Sequence, residues 1–218
     1  MEVMRISLHQ NYKQNKMKKI VAIAIIALGS IGFSQAQEID FGVQVGLNIA
    51  NLQGDDVEDV DARTGINVGI TGEYEFGPSF GLLVGAIYSQ QGAEGRNTFG
   101  QDVTLKLDYI NVPVLAKFYL GGSGFSIDAG PQIGFVVKDE SEITDGILAG
   151  STTDYDAEPI DLSVGGGLTY KFREGTILEG LSLGSRYMVG VSNIYKDNST
   201  LDDDITNQVF SFNLGFKF

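Results

Sequence analysis

The sequence predicts an all-β fold, an eight-stranded antiparallel up-and-down transmembrane β-barrel. Three observations carry that prediction. In the last eleven residues, Phe210, Phe212, Leu214, Phe216 and Phe218 fall on one face of a strand, and Val209, Ser211, Asn213, Gly215 and Lys217 on the other. A period of two held for five repeats, with one face aromatic, describes a strand that meets lipid rather than water. The same alternation recurs in seven earlier stretches, and the connections between stretches alternate between short and long.

The first strand, Phe41 to Ile49, sets Phe41, Val43, Val45, Leu47 and Ile49 against Gly42, Gln44, Gly46 and Asn48. The second, Gly65 to Phe76, sets Ile66, Val68, Ile70, Tyr74 and Phe76 against Asn67, Gly69, Thr71, Glu73 and Glu75. The third, Phe80 to Gln90, carries Phe80, Leu82, Val84, Ala86 and Tyr88 on its apolar face. The fourth, about Thr104 to Tyr119, carries Ile110, Val112, Val114, Ala116 and Phe118 opposite Asn111, Leu115 and Lys117. Its phase slips near Asp108, which predicts a bulge or a strand end there.

The fifth strand, Phe125 to Lys138, turns Phe125, Ile127, Ala129, Ile133, Phe135 and Val137 one way, and Ser126, Asp128, Gly130, Gln132 and Gly134 the other. The sixth, Ile160 to Phe172, alternates Leu162, Val164, Leu168, Tyr170 and Phe172 with Asp161, Ser163, Gly165, Gly167 and Lys171. The seventh, Leu181 to Val191, alternates Leu183, Tyr187 and Val189 with Ser182, Gly184, Arg186 and Gly190. The C-terminal strand is the eighth. Gly77-Pro78-Ser79 and Gly121-Gly122-Ser123-Gly124 make tight turns, and Arg173 to Gly180 a slightly longer one. The other connections, about 51–64, 91–103, 139–159 and 192–206, are long and polar. In a meander every long loop then lies at one end and every short turn at the other, as in outer-membrane barrels with short periplasmic turns.

Alternation alone does not say which face is inside, and a soluble lipocalin-like ligand binder would point the apolar set inward. The aromatic residues argue against that. Phe41, Tyr74, Phe76, Phe80, Phe118, Phe125, Tyr170, Phe172, Phe216 and Phe218 all lie at the short-turn end in the apolar phase, which predicts a periplasmic aromatic girdle. The opposite face is mostly small, polar or charged, suiting the narrow interior of eight strands.

The N-terminus bears on location. Met17-Lys18-Lys19, an apolar run from Ile20 to Phe33 and Ser34-Gln35-Ala36 read as a secretory signal peptide, cleaved after Ala36. The 14-residue run is shorter than the roughly 20 residues of a spanning helix. Residues 1–16 form an upstream extension, Met17 being the expected start. Residues 37–218 then form the barrel domain, with 10 Lys+Arg against 27 Asp+Glu and a formal charge of −17. Such a chain lacks the basic footprint that nucleic acid requires. The absence of cysteine excludes disulfides, thiol catalysis and a lipidated cysteine.

Short motifs follow in order: Gly46-Leu47-Asn48, Tyr88-Ser89-Gln90-Gln91-Gly92, Tyr109-Ile110-Asn111-Val112-Pro113, Gly130-Pro131-Gln132-Ile133-Gly134, and Arg186-Tyr187 followed by Gly190-Val191. In these the chain resembles the outer-membrane β-barrel domain family common in Bacteroidetes, which includes PorT-type proteins with an OmpX-like barrel. The resemblance covers essentially the whole of residues 37–218 and implies integral residence in the outer membrane of a Gram-negative bacterium. Gly85 stands where the family carries a glutamate. The terminal Phe216-x-Phe218 is similar to the signal read by the barrel-insertion machinery, with Asn213 where glycine is common.

Candidate chemistry is sparse. The inward phase predicts a lumen charge network of Glu73, Glu75 and Asp128 with Lys117, Lys171, Arg186 and Lys217, to which Asp161 and Lys138 could add. A four-residue turn at Gly121–Gly124 would set Lys117 opposite Asp128 as an ion pair. Such a network plugs the barrel; a narrow ion pathway is the alternative. The single histidine, His9, falls in the segment expected to be removed, so Ser-His-Asp and His-based zinc sites are not expected. Gly165-Gly166-Gly167 lacks the Lys-Ser/Thr of a phosphate loop. No enzyme activity and no cofactor are expected.

The long connections hold 18 of the 27 acids, against only Arg63, Arg96 and Lys196. A solvated acidic surface is the plain reading, and divalent cations are the ligands it would attract, although no EF-hand spacing is present. The expected partners are outer-membrane lipid and the insertion machinery. The expected role is structural or surface-interacting, with a small passive pore or a secretion-assembly component as alternatives.

Overall fold

In the computed structural model, residues 39–54, 60–96, 100–145, 149–154, 157–173, 175–195 and 205–218 are described. The signal-peptide expectation concerns residues 1–36 and lies outside them. The chain forms β1 (Ile39–Gln53), β2 (Asp61–Gly77), β3 (Phe80–Arg96), β4 (Asp102–Tyr119), β5 (Phe125–Ile143), β6 (Thr152–Asp154), β7 (Ile160–Lys171), β8 (Leu181–Gly190) and β9 (Thr206–Lys217). Every pairing is antiparallel, and each long strand pairs with its neighbour in sequence. β1 also pairs with β9, from Gly42 opposite Lys217 to Gln53 opposite Thr206, which closes eight strands into a ring and removes their edges. The three-residue β6, which the sequence pattern did not predict, pairs with Glu140–Glu142 of β5.

The apolar phase faces outward. On β1, Val43, Val45, Leu47 and Ile49 are exposed, whereas Gly42, Asn48 and Ala50 are buried. An exposed apolar belt of this size runs around the barrel, and only lipid could cover it. The aromatic residues group at the short-turn end: the rings of Tyr74 and Phe76 lie 4.7 Å apart, Phe76 and Phe80 5.5 Å, and Phe125 and Tyr170 4.7 Å. A second group, not anticipated from sequence, marks the other boundary. There the Tyr88 hydroxyl donates to Asp108 Oδ2 at 2.7 Å, the Tyr187 hydroxyl to Gln208 Oε1 at 2.7 Å, and Phe210 packs against Phe212. Phe80 and Tyr88 are eight residues apart on β3. At about 3.4 Å per residue and a tilt near 40°, the boundaries are about 20 Å apart, close to the apolar height of such barrels.

The strands run past the outer boundary. β3, β4 and β5 extend to Arg96, back to Asp102 and on to Ile143, so much of what reads as loop is paired strand. The bulge expected near Asp108 is present: the register slips between Asp108, opposite Lys138, and Tyr109, opposite Val136. Gly92, across the β3–β4 pairing, has φ +119°, and Gln91, Gly92 and Ala93 are all buried as the phase changes. The short turn at 121–124 uses Gly121, Gly122 and Gly124 at φ +51°, +66° and +86°, conformations that other residues adopt with strain.

Candidate functional site in the barrel lumen

Inward-facing side chains fill the lumen in three layers. At the short-turn end Glu73 of β2 is the hub. Lys117 Nζ lies 2.7 Å from its Oε2, and the Tyr119 hydroxyl donates to its Oε1 at 2.6 Å. Lys217 Nζ lies 3.5 Å from Glu73 Oε1 and 3.2 Å from Glu75 Oε1, and also pairs with Asp40. Deeper in, Arg186 Nε lies 3.1 Å from Asp128 Oδ1, and Thr169 Oγ1 donates to Asp128 Oδ2 at 3.4 Å. Both carboxylates are buried, so these partners are what makes their burial tolerable. The triple glycine serves this packing: a Cβ on Gly167 would sit 2.5 Å from the Ser185 carbonyl oxygen and 3.2 Å from Asp128 Oδ1.

Among the described residues, the middle layer holds no ion pair. Gln44 Nε2 donates to Asn67 Oδ1 at 3.1 Å, Asn67 Nδ2 to Asn48 Oδ1 at 2.8 Å, and Asn48 Nδ2 to Ser89 Oγ at 2.9 Å. Gln91 Nε2 donates to the same Ser89 hydroxyl at 2.9 Å, and Asn207 Nδ2 donates to Gln91 Oε1. This ladder of amides runs along the barrel wall toward the long-loop end, each donor meeting an acceptor in a low-dielectric interior.

An apolar cap closes that end. Leu107 and Tyr109 of β4 are fully buried against Ala157 and Ile194, with Leu52, Leu105, Val136 and Ile205 around them. Ala157 and Ile194 come from two different long connections, tied down by backbone bonds from Val136 N to Pro159 O, Glu158 N to Ile194 O and Ile194 N to Ile205 O. Leu83, Ile87, Leu115, Met188 and Val209 are further inward-facing apolar residues.

Most of the residues expected in the lumen network meet, but not all, and not all as expected. Lys117 does stand opposite Asp128, yet its ammonium turns to Glu73 and Asp128 takes Arg186. The expected Lys117–Asp128 pair is therefore replaced by two others, each joining strands two apart in the sheet, where Gly81 and Gly167 on the strand between leave room for the reach. Lys171 forms no ion pair with another described residue and lines a cavity of about 80 Å³ beside Thr169, Ser182 and Ser185. Lys138 lies outside, 3.0 Å from Glu140, and Asp161 is bound by Ser192 rather than by a cation. Asp40 and Tyr119 were missed; both are in the inward phase, but each sits at a strand end where alternation is weakest.

The long-loop end also differs from expectation. Arg63 is not a loop cation: it turns inward, 3.7 Å from Asp108 Oδ1 and donating to the Gln91 carbonyl. Lys106 and Lys138 join the outer wall, where Lys106 pairs with Glu142 and holds its carboxyl below the usual range. Arg96 pairs with Asp102 at 2.8 Å. Among the described residues, no three His, Cys, Asp or Glu side chains converge to hold a metal ion.

The match that decides the assignment is to a family model, outer membrane protein beta-barrel domain, over residues 33–196. The chain belongs to this family. It is an integral outer-membrane β-barrel protein. Among solved structures it is similar to Neisserial surface protein A, at 15% identity over 82% of this chain and 97% of that one, with a TM-score of 0.48. It is likewise similar to Ail of Yersinia pestis, seen with the heparin analogue sucrose octasulfate, at 15% identity over 83% of this chain and 99% of that one, with a TM-score of 0.48. The N-terminal barrel of Pseudomonas aeruginosa OprF matches at 13% identity over 81% of this chain and 97% of that one, with a TM-score of 0.37. No curated protein matches the sequence.

Proposed function

We propose that this outer-membrane barrel is a non-enzymatic, closed barrel with a structural or surface-interaction role, its long connections outside the cell and its termini in the periplasm. The filled lumen is the observation that carries this reading. Ion pairs occupy the short-turn half, amides the middle and an apolar cap the far mouth, so a solute would have to break all three. The orientation rests on the even strand number and on the short turns gathering at one end. The acidic outer surface would face anionic lipid headgroups, where divalent cations would bridge the two. Insertion would proceed through the C-terminal strand ending in Phe216-x-Phe218.

The lone His9 and the absence of cysteine leave few routes to covalent catalysis. The test of the closed barrel is single-channel recording in planar bilayers. A flat trace is expected, and discrete conductance steps from the unmodified protein would establish a pore instead. The PorT-type motifs favour a second reading as a secretion-assembly component, to be examined by cross-linking and pull-down from native membranes.

A further inference from the structure

The cavity of about 80 Å³ in the short-turn half of the lumen is opened by missing side chains. Ser182, Gly184 and Arg186 alternate along the inner face of β8, so the glycine leaves a gap between a hydroxyl and a guanidinium. Gly215 of β9 and Gly42 of β1 leave the neighbouring wall equally bare. On β7, Lys171 stands opposite Ser182 and Thr169 opposite Gly184, and both line the same space. At about 30 Å³ per water, it takes two or three waters or one small ion. The acids nearby already have cations: Glu73 has Lys117 and Lys217, Asp40 and Glu75 have Lys217, and Asp128 has Arg186. Among the described residues, no carboxylate pairs with Lys171 and no group hydrogen-bonds the Ser182 hydroxyl. A partly buried ammonium without a counter-ion thus lies beside a hydroxyl with a proton to donate.

We propose that this cavity holds one small oxyanion, inorganic phosphate or sulfate, between Lys171 and Ser182 on one side and Arg186 on the other. Arg186 gives Asp128 its Nε, one of five N–H donors, so donors remain for a second acceptor. An oxyanion offers several acceptor oxygens at once, which matches an ammonium, a hydroxyl and a guanidinium drawn from two strands. Asp40 and Glu73 also line the cavity, and their charges restrict the occupant to a single small anion rather than a polyphosphate. Entry is from the short-turn end, where Asp40 and Gly180, both at strand ends, line the mouth. The site is independent of whether the barrel conducts and of which side of the membrane the short turns face.

The test is amide-resolved NMR of the refolded full barrel in detergent micelles free of phospholipid. Inorganic phosphate is titrated in at neutral pH and at an ionic strength held constant with sodium chloride. In wild type the amides of Ser182, Gly184 and Gly215 should shift saturably. K171Q should weaken binding by about tenfold or more, the loss expected when a charged hydrogen-bond partner is removed. S182A should weaken it by less, and K171R, which keeps the charge, should retain it. K138Q removes a cation from the outer wall and should bind as wild type does, which separates the cavity from net charge. Each variant is first shown to give the compact band on unheated gels, and if K171Q does not, S182A and K171R carry the comparison. Absence of saturable shifts in wild type overturns the site and leaves the cavity to water, as does wild-type affinity in both K171Q and S182A. Tighter binding of glycerol phosphate than of inorganic phosphate would move the source to a lipid headgroup and overturn the free ion.

Discussion

Lys117 and Asp128 face each other across β4 and β5, yet their charged groups are committed elsewhere: Lys117 Nζ to Glu73 Oε2 at 2.7 Å, and Asp128 Oδ1 to Arg186 Nε at 3.1 Å. Each cation reaches over the strand between, at Gly81 and at Gly167, so a side chain chooses among partners two strands away as well as on the next strand. A double-mutant cycle should therefore give Lys117 a coupling with Glu73 larger than that with Asp128 by about 1 kcal/mol or more. Urea unfolding of K117Q, E73Q, D128N and the two double variants measures it. A stronger coupling to Asp128 would mean that the register alone dictates the pairing.

Removing the hub should cost more than removing a spoke. E73Q leaves Lys117 and Lys217 facing each other with Tyr119 beside them, and the loss of one partner from a buried cluster costs about 3–5 kcal/mol. Glu75 is exposed, so E75Q should lose less than about 1 kcal/mol. Similar losses in both variants would show that the cluster is wetter than its burial indicates.

The apolar cap should hold the long connections without being the only seal. Y109A removes a fully buried ring and should destabilise the barrel by about 3 kcal/mol. Hydrogen exchange at Glu158 and Ile194, whose amides are bonded within the cap, should speed up relative to β1 and β9. Bilayer recordings of Y109A should remain flat, because the amide and ion-pair layers still block the way. Conductance in Y109A would mean that the cap is the sole barrier.

Gly92 should resist substitution although it lies in a strand. Its φ of +119° disfavours any L side chain, and a Cβ there would collide with the Leu105 carbonyl. G92A should lower stability by about 1–3 kcal/mol, whereas A86G on the lipid face of the same strand should cost about 1 kcal/mol or less. Equal effects would remove the conformational argument for glycine at this position.

Processing and orientation can be read on cells. Mature protein from the outer membrane should begin at Gln37, and the unheated barrel should migrate anomalously on detergent gels and shift on boiling. An epitope inserted after Ala149 should be reachable by antibody on intact cells. Protection of that epitope together with exposure of one placed after Phe218 would invert the orientation.

Where the strands touch lipid, the sequence by itself determined nearly everything about them. Lipid demands an apolar outer face and the lumen a small or polar inner one, so Phe41 to Ile49 and Phe210 to Phe218 announce their phase, and the bulge at Asp108 shows as a break in it. Beyond the membrane boundary that demand ends. Backbone pairing continues through Lys106, Glu140 and Glu142, but no lipid requires an apolar outer face there, and the charged outer side chains make paired strand read as acidic loop. The lumen was legible as a set of inward residues and not as a set of partners. Strand phase says which side a residue faces; ring closure and barrel diameter decide what it meets there. That is why Glu73 and Lys217, 144 residues apart, could be assigned to the interior from alternation, while their meeting, the turn of Lys117 away from Asp128 and the joining of Ala157 and Ile194 over Tyr109 were decided only by the closed barrel.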